Sequence, residues 1–128
     1  MADAQPRVLV VDDSGPLVVQ CVNMLQSLGY AVKGATDGES AVDLVGQEAF
    51  DLVLVDYRMP GIGGFEVFDR ARAVRPELAF VLVTGYGSSD VVEDATEKGF
   101  RGVLLKPFTR DQLRRAVADA LAGAPPAS

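Results

Sequence analysis

Short apolar runs alternate with longer amphipathic segments along the whole chain. Val8-Leu9-Val10-Val11, Leu52-Val53-Leu54-Val55, Phe80-Val81-Leu82-Val83 and Val103-Leu104-Leu105 are rich in β-branched residues and carry no polar interruption. Such runs read as strands buried on both faces, the habit of parallel sheets. The segments between them repeat apolar residues every three or four positions, which reads as helix. The pattern predicts strand 7–11, helix 15–28, strand 30–35, helix 38–48, strand 51–55, helix 64–75, strand 79–83, helix 88–98, strand 102–105 and helix 109–122. Five βα units of this length imply an α/β fold, doubly wound, with a parallel sheet covered by helices on both sides.

Local signals agree with this register. Gly29 suits the stop of the first helix. Thr36 with Glu39, and Thr109 with Gln112, have capping-box spacing. Leu113, Val117 and Leu121 line one face of the last helix, with Arg110, Arg114 and Arg115 off it. The 88–98 helix carries Asp90, Glu93, Asp94 and Glu97, with only Val91, Val92 and Ala95 as apolar surface. It is expected to be the least firmly anchored helix. Gly61, Gly63 and Gly64 read as a turn feeding the third helix rather than a phosphate loop. Phe65 and Phe68 read as core. Residues 1–6 are expected to be a flexible start, and 123–128 a disordered tail or linker stub.

The polar residues that end the apolar runs change the picture from fold to chemistry. Asp12 and Asp13 follow the first run, Asp56 the second, Thr84 the third and Lys106 the fourth. In an open α/β sheet, ligands bind outside the carboxyl ends of the strands. In the flavodoxin-like order 2-1-3-4-5 the first and third strands are neighbours, so Asp12, Asp13 and Asp56 converge. Three carboxylates repel, which raises at least one pKa. A hard divalent cation relieves this, and Mg²⁺ prefers oxygen ligands, with Mn²⁺ as an alternative. Asp56 is placed as a nucleophile for a phosphoryl group. Mg²⁺, Lys106 and the Thr84 hydroxyl would share the equatorial oxygens. Alone, each residue has a bland reading: a cap or turn aspartate, a strand-favouring threonine, a surface lysine. Their joint placement at strand ends favours the functional one.

Composition narrows the classes. The chain of 128 residues has no histidine, which removes Ser-His-Asp and Cys-His catalysis and any phosphohistidine of its own. A phosphoryl donor must then lie elsewhere. Net charge is −6, which argues against direct nucleic-acid binding. No apolar stretch is long enough for a membrane span. Met1 to Pro6 lack the features of a signal peptide, and a single cysteine, Cys21, suits a reducing cytoplasm. Cys21 sits among Leu17, Val18, Val22 and Leu25 and reads as packing.

Over residues 7–122 the chain resembles the receiver domain of bacterial two-component response regulators. The residues carrying the likeness are Val10-Val11-Asp12-Asp13-Ser14, Asp56-Tyr57-Arg58-Met59-Pro60-Gly61, Val83-Thr84-Gly85 and Leu105-Lys106-Pro107-Phe108. The resemblance implies Asp56 as phospho-acceptor. It implies Asp13, Asp56 and the Arg58 backbone carbonyl as direct Mg²⁺ ligands, Asp12 as a ligand through water, and Thr84 with Lys106 as the phosphate-contacting pair. It implies a cis Lys106-Pro107 bond. A histidine kinase or histidine phosphotransfer protein would donate the phosphate, the first helix helping to dock it. The surface of the fourth helix, fifth strand and fifth helix would then change its affinity for a downstream protein or output domain. The protein would be a cytoplasmic monomer or weak dimer, a switch that catalyses only its own phosphorylation and dephosphorylation.

Two positions stand out within the likeness. Receivers usually carry Tyr or Phe three residues before the lysine, where this chain has Val103. Output is therefore expected to run through repositioning of segment 84–98. Arg58 and Tyr86 occupy positions that modulate the hydrolytic water in the family. Two large side chains there are expected to shield the acyl phosphate and lengthen its life. Other classes fit less well. A haloacid-dehalogenase phosphatase needs an aspartate two residues after its nucleophile, where Arg58 stands. A flavodoxin needs a Ser/Thr/Gly-rich loop where Asp12-Asp13 stand. The complete acceptor set argues against a degenerate receiver used only for docking, while Val103 keeps that reading open.

Overall fold

A computed structural model describes residues 5–85 and 89–123. The elements alternate strictly: β1 (Arg7–Val11), α1 (Gly15–Ser27), β2 (Ala31–Ala35), α2 (Gly38–Gln47), β3 (Leu52–Asp56), α3 (Gly64–Val74), β4 (Ala79–Thr84), α4 (Ser89–Lys98), β5 (Gly102–Leu105) and α5 (Arg110–Leu121). The sheet is wholly parallel in the order β2-β1-β3-β4-β5, as expected. Asp56 and Thr84 lie inside their strands as the last residues, rather than just beyond them. The expected flexible start falls, apart from Gln5 and Pro6, outside the described residues. Pro6 already joins the sheet edge, its carbonyl accepting from the Ala31 N–H at 3.0 Å. The tail beyond Gly123 also lies outside them.

Alternation of side chains along each strand divides the core in two. One half packs Val8, Val10, Leu52, Leu54, Val81 and Val83 against Val18, Cys21 and Leu25 of α1 and Leu113, Val117 and Ala120 of α5. The other packs Leu9, Val11, Val53, Val55, Phe80 and Leu82 against α2, α3 and α4. Phe68, Phe80 and Phe100 stack there at centroid distances of 4.6–5.9 Å, with Phe65 at their margin. Central strands β3 and β4 are buried throughout, which fixes the carboxyl edge from which Asp56 and Thr84 project.

Helix ends show where local signals hold. Gly29, at φ 100°, closes α1: its N–H bonds Gln26 and the Tyr30 N–H bonds Leu25, a Schellman stop. Thr109 and Gln112 form the expected reciprocal capping box of α5. The Thr36–Glu39 box does not form. Asp37 is the N-cap of α2, its carboxylate accepting from the Ser40 N–H at 2.7 Å and the Ser40 hydroxyl at 2.9 Å. Aspartate ranks with the best N-caps, so it starts the helix one residue later and makes Ser40 the N3 residue. Helix α4 buries only Ala95, whereas α5 buries three residues. This matches the expected weak anchoring of α4.

Candidate functional site

The sheet delivers the acidic residues to one place. Val11 is the last paired residue of β1, beside Val55 of β3. Asp12 continues β1, its N–H donating to the Ala35 carbonyl at 3.2 Å. Beyond Asp56 the Tyr57 N–H donates to Val83 at 2.8 Å, and the Lys106 N–H to Thr84 at 2.9 Å. These backbone bonds carry the ladder past the strand ends and hold the carboxyl edge in register. Asp12, Asp56 and Thr84 are buried, at 3 %, 7 % and 1 % exposure, while Asp13 is open to solvent. Carboxylate oxygens of Asp12, Asp13 and Asp56 lie within 4.8 Å of one another.

Lys106 enters this acidic group from the end of β5. Its Nζ stands 2.7 Å from Asp12 Oδ2 and 3.2 Å from Asp56 Oδ1. The other Asp12 oxygen accepts from the Ser14 N–H at 2.9 Å. Ser14 is also the N-cap of α1, so the same turn starts the helix and orients the aspartate. Among the described residues no buried side-chain N or O lacks a partner. The Lys106-Pro107 peptide is cis.

The electrostatics follow from one ammonium among three carboxylates. Burial pushes the Asp56 carboxyl above its ordinary range, Asp12 and Asp13 push it further, and Lys106 opposes them. Burial alone would lower the Lys106 pKa, but its bond to Asp12 and the charges of Asp56 and Asp12 outweigh that and raise it. The group retains two negative charges in excess. Its donors are all hard oxygens, with one exposed member facing water. That set fits a hard divalent cation such as Mg²⁺, and lacks the nitrogen or thiolate ligands that favour zinc or copper.

The other sequence-predicted residues fall as follows. Arg58 lies on the exposed loop after β3, its guanidinium 5.9 Å from the Tyr57 ring centre. Tyr86 lies outside the described residues. Val103 is paired beside Leu82 and packs, partly buried, against the α2–α4 half of the core. Cys21 is buried in the α1–α5 half, its thiol pushed up to about 11 by burial first and Asp12 second. Two features were missed in the sequence. One is the Ser14 amide on Asp12, for which the Asp-Asp-Ser order was an available signal. The other is an open groove of about 520 Å³ beside Lys106, lined by Leu17, Gln20, Met24, Pro107 and Phe108.

With that geometry in view, the likeness to known proteins is informative. The family model described as "Response regulator receiver domain" matches residues 8–118. Sporulation initiation phosphotransferase F of Bacillus subtilis (strain 168) is 32 % identical over 111 residues, covering 87 % of this chain and 90 % of that protein. Transcriptional regulatory protein ZraR of Klebsiella oxytoca is 33 % identical over 122 residues, covering 95 % of this chain but only 28 % of that protein. A CheY-like receiver domain from Methanospirillum hungatei JF-1 superposes with a TM-score of 0.87 at 26 % identity, over 93 % of this chain and 95 % of that one. A response regulator from Burkholderia pseudomallei, solved with a phosphorylated aspartic acid, calcium ion and citrate, superposes at 0.79 with 26 % identity, over 91 % of this chain and 66 % of that one.

Proposed function

The chain belongs to the response regulator receiver domain family, and we propose that Asp56 is its phospho-acceptor in a two-component phosphorelay. One observation carries the reading. At the carboxyl edge of the sheet a buried aspartate shares one lysine with a second aspartate, and a third carboxylate stands within 4.8 Å. The calcium ion and phosphorylated aspartate of the Burkholderia pseudomallei protein support it.

Asp56 Oδ attacks the phosphorus of a phosphohistidine on a histidine kinase or phosphotransfer protein. The new O–P bond forms as the P–N bond breaks, and its electron pair stays on the donor imidazole, which takes up a proton. Burial and neighbouring charge keep Asp56 a stronger base than an exposed carboxylate, and so a better nucleophile once ionised. Lys106 stands close enough to Asp56 to bind a phosphoryl oxygen, and Thr84 ends the adjacent strand to bind another. Asp13, Asp56 and the Arg58 carbonyl would hold Mg²⁺ directly and Asp12 through water, with Mn²⁺ as a substitute. When bound, the ion neutralises charge on the transferring group. Hydrolysis reverses the modification: water attacks phosphorus, phosphate leaves, and the Asp56 carboxylate returns. Large side chains at positions 58 and 86 slow that step.

Phosphorylation adds about 1.5–2 negative charges, by analogy with phosphoserine, and biases a two-state surface. That surface is α4-β5-α5, which serves a downstream protein or output domain. With valine at 103, segment 84–98 carries the change; the thin burial of α4 supports this route. Helix α1 and the groove by Phe108 receive the donor. The protein works in the cytoplasm as a monomer or weak dimer. No helix among the described residues is long and apolar enough to cross a membrane.

Intact-protein mass after incubation with acetyl phosphate and Mg²⁺ tests the reading. One added phosphoryl group is expected, absent from Asp56→Asn and from a metal-free sample. A folded chain that gains none would instead be a constitutive docking module.

A further inference from the structure

The loop after Asp56 returns to the sheet through glycines whose role the turn reading does not explain. Gly61 has φ 82° and needs its conformational freedom. Gly63 does not: its φ is −89°, and Gly64 opens α3. Gly63 is the N-cap of α3, a position glycine suits, but Gly64 inside the first turn has more backbone freedom to lose than any other residue. What they permit is contact. A methyl built on Gly64 would stand 2.6 Å from the Asp56 carbonyl oxygen and 3.3 Å from its carbonyl carbon. One on Gly63 would stand 2.8 Å from the Tyr57 carbonyl oxygen. The same carbonyl accepts the Gly64 N–H at 3.0 Å, closing the loop on itself. From the far side, Gly38 of α2 would meet Ile62, with 2.5 Å to its side chain and 2.9 Å to its carbonyl oxygen. All these distances fall short of the ~3.5–4.0 Å contact optimum. At Gly63 and Gly64 the nearest obstructing atoms are backbone carbonyl oxygens, which cannot swing aside, whereas at Gly38 the nearest are side-chain atoms of Ile62 and Val67.

We propose that Gly64 is a positioning residue for Asp56, and that Gly63 and Gly38 clamp the loop carrying Arg58 in the same cradle. The inference rests on the reading of Asp56 and the Arg58 carbonyl as metal ligands. A side chain at 64 pushes the Asp56 backbone outward and carries its carboxylate away from Asp12 and Asp13. A side chain at 63 acts one residue further on and shifts the Arg58 carbonyl. The two glycines therefore act through different ligands, which separates positioning from a general loosening of the fold.

The test is an Mg²⁺ titration of the whole chain, followed by backbone amide shifts, with thermal unfolding as the check of folding. Gly64→Ala is expected to bind Mg²⁺ about tenfold more weakly, the lower bound for loss of a group that orients a ligand. Gly46→Ala, whose methyl meets nothing within 4 Å, keeps the wild-type affinity. In an Asp56→Asn background the Gly64→Ala effect disappears, while Gly63→Ala still weakens binding. Wild-type affinity in a folded Gly64→Ala protein overturns the proposal, as does an equal loss in both backgrounds. If Gly64→Ala does not fold, Gly63→Ala decides: weaker binding with cooperative unfolding supports the cradle, and unchanged binding overturns it. A wild-type chain with no saturable Mg²⁺ response contradicts the metal site itself, and the inference with it.

Discussion

The two ends of the sheet handle charge in opposite ways. Near the amino end, Glu48 accepts from Arg7 and Lys33, each at 2.6 Å, and Asp51 accepts the Arg7 backbone N–H at 2.8 Å. Two cations face two carboxylates. The bonds to Lys33 and Arg7 hold the Glu48 carboxyl below its ordinary range. At the carboxyl end, three carboxylates share one lysine, and Asp56 is pushed above its range. Both ends hang from the same strands, so neither fold nor composition explains the difference. The balanced end makes surface ion pairs of small net worth. The unbalanced end holds buried charge against its own repulsion, a pattern that clusters at functional sites. Its excess of two negative charges equals the charge of one divalent cation.

Metal binding offers the largest contrast. Asp13→Ala is expected to weaken Mg²⁺ binding by about 10- to 100-fold, as for other groups that build a metal site. Glu48→Ala leaves it unchanged. The amide shifts of a Mg²⁺ titration read both, and an equal loss in Glu48→Ala would erase the distinction between the ends.

Stability should move in opposite directions. Without metal at neutral pH, Asp56→Asn removes a buried charge that its neighbours repel, while Lys106 keeps Asp12. The variant is expected to be more stable by about 1 kcal/mol, or roughly 3–5 °C in Tm. Glu48→Gln lowers Tm, because it removes the partner of two cations. A Tm for Asp56→Asn below wild type would contradict the claimed repulsion.

The pH dependence sharpens the same contrast. Asp56 binds its proton more tightly when folded, since its pKa lies above an unfolded value of about 3.9. Its ionisation therefore subtracts stability as pH rises from that value through the raised folded one. The advantage of Asp56→Asn should open across that window and be absent below it. Glu48 has the reverse sign. Its contribution is complete above its unfolded value of about 4.3 and is lost as pH falls through the lower folded value. Urea midpoints of the three proteins between acid and neutral pH would show both trends.

The smallest expected effect is a silence. Cys21 lies beneath the acidic end, buried, with its thiol pushed up to about 11. It should not react with Ellman's reagent in the folded protein at neutral pH, and should react once urea unfolds the chain. Rapid reaction in the native state would mean that the wall under Asp12 opens.

Much of this was legible in the sequence because it is local. Apolar runs with polar terminators placed every strand, and among the described residues each expected boundary lies within one residue of the observed one. Thr109 with Gln112 capped α5 as its spacing implied. Thr36 failed because Asp37 competed for the same helix start, and spacing alone cannot rank two adjacent caps. Long-range geometry was not legible. That Lys106 lies nearer Asp12 than Asp56 is decided across 94 positions of chain, by how β5 packs on β4. Gly63 and Gly64 read as turn formers because a sequence shows a missing side chain but not the carbonyl that needs the space. Gly38 gave no signal at all, since its neighbour Ile62 arrives from another element.

The central claim is that, of three clustered carboxylates, Asp56 takes the phosphoryl group. Borohydride reduction of the protein after acetyl phosphate treatment, followed by peptide mass mapping, tests it most directly. An acyl phosphate is reduced to the alcohol, so the modified aspartate becomes homoserine. The account predicts homoserine at position 56 alone, dependent on Mg²⁺. Homoserine at position 12 or 13, or none in a folded and metal-loaded chain, would contradict it.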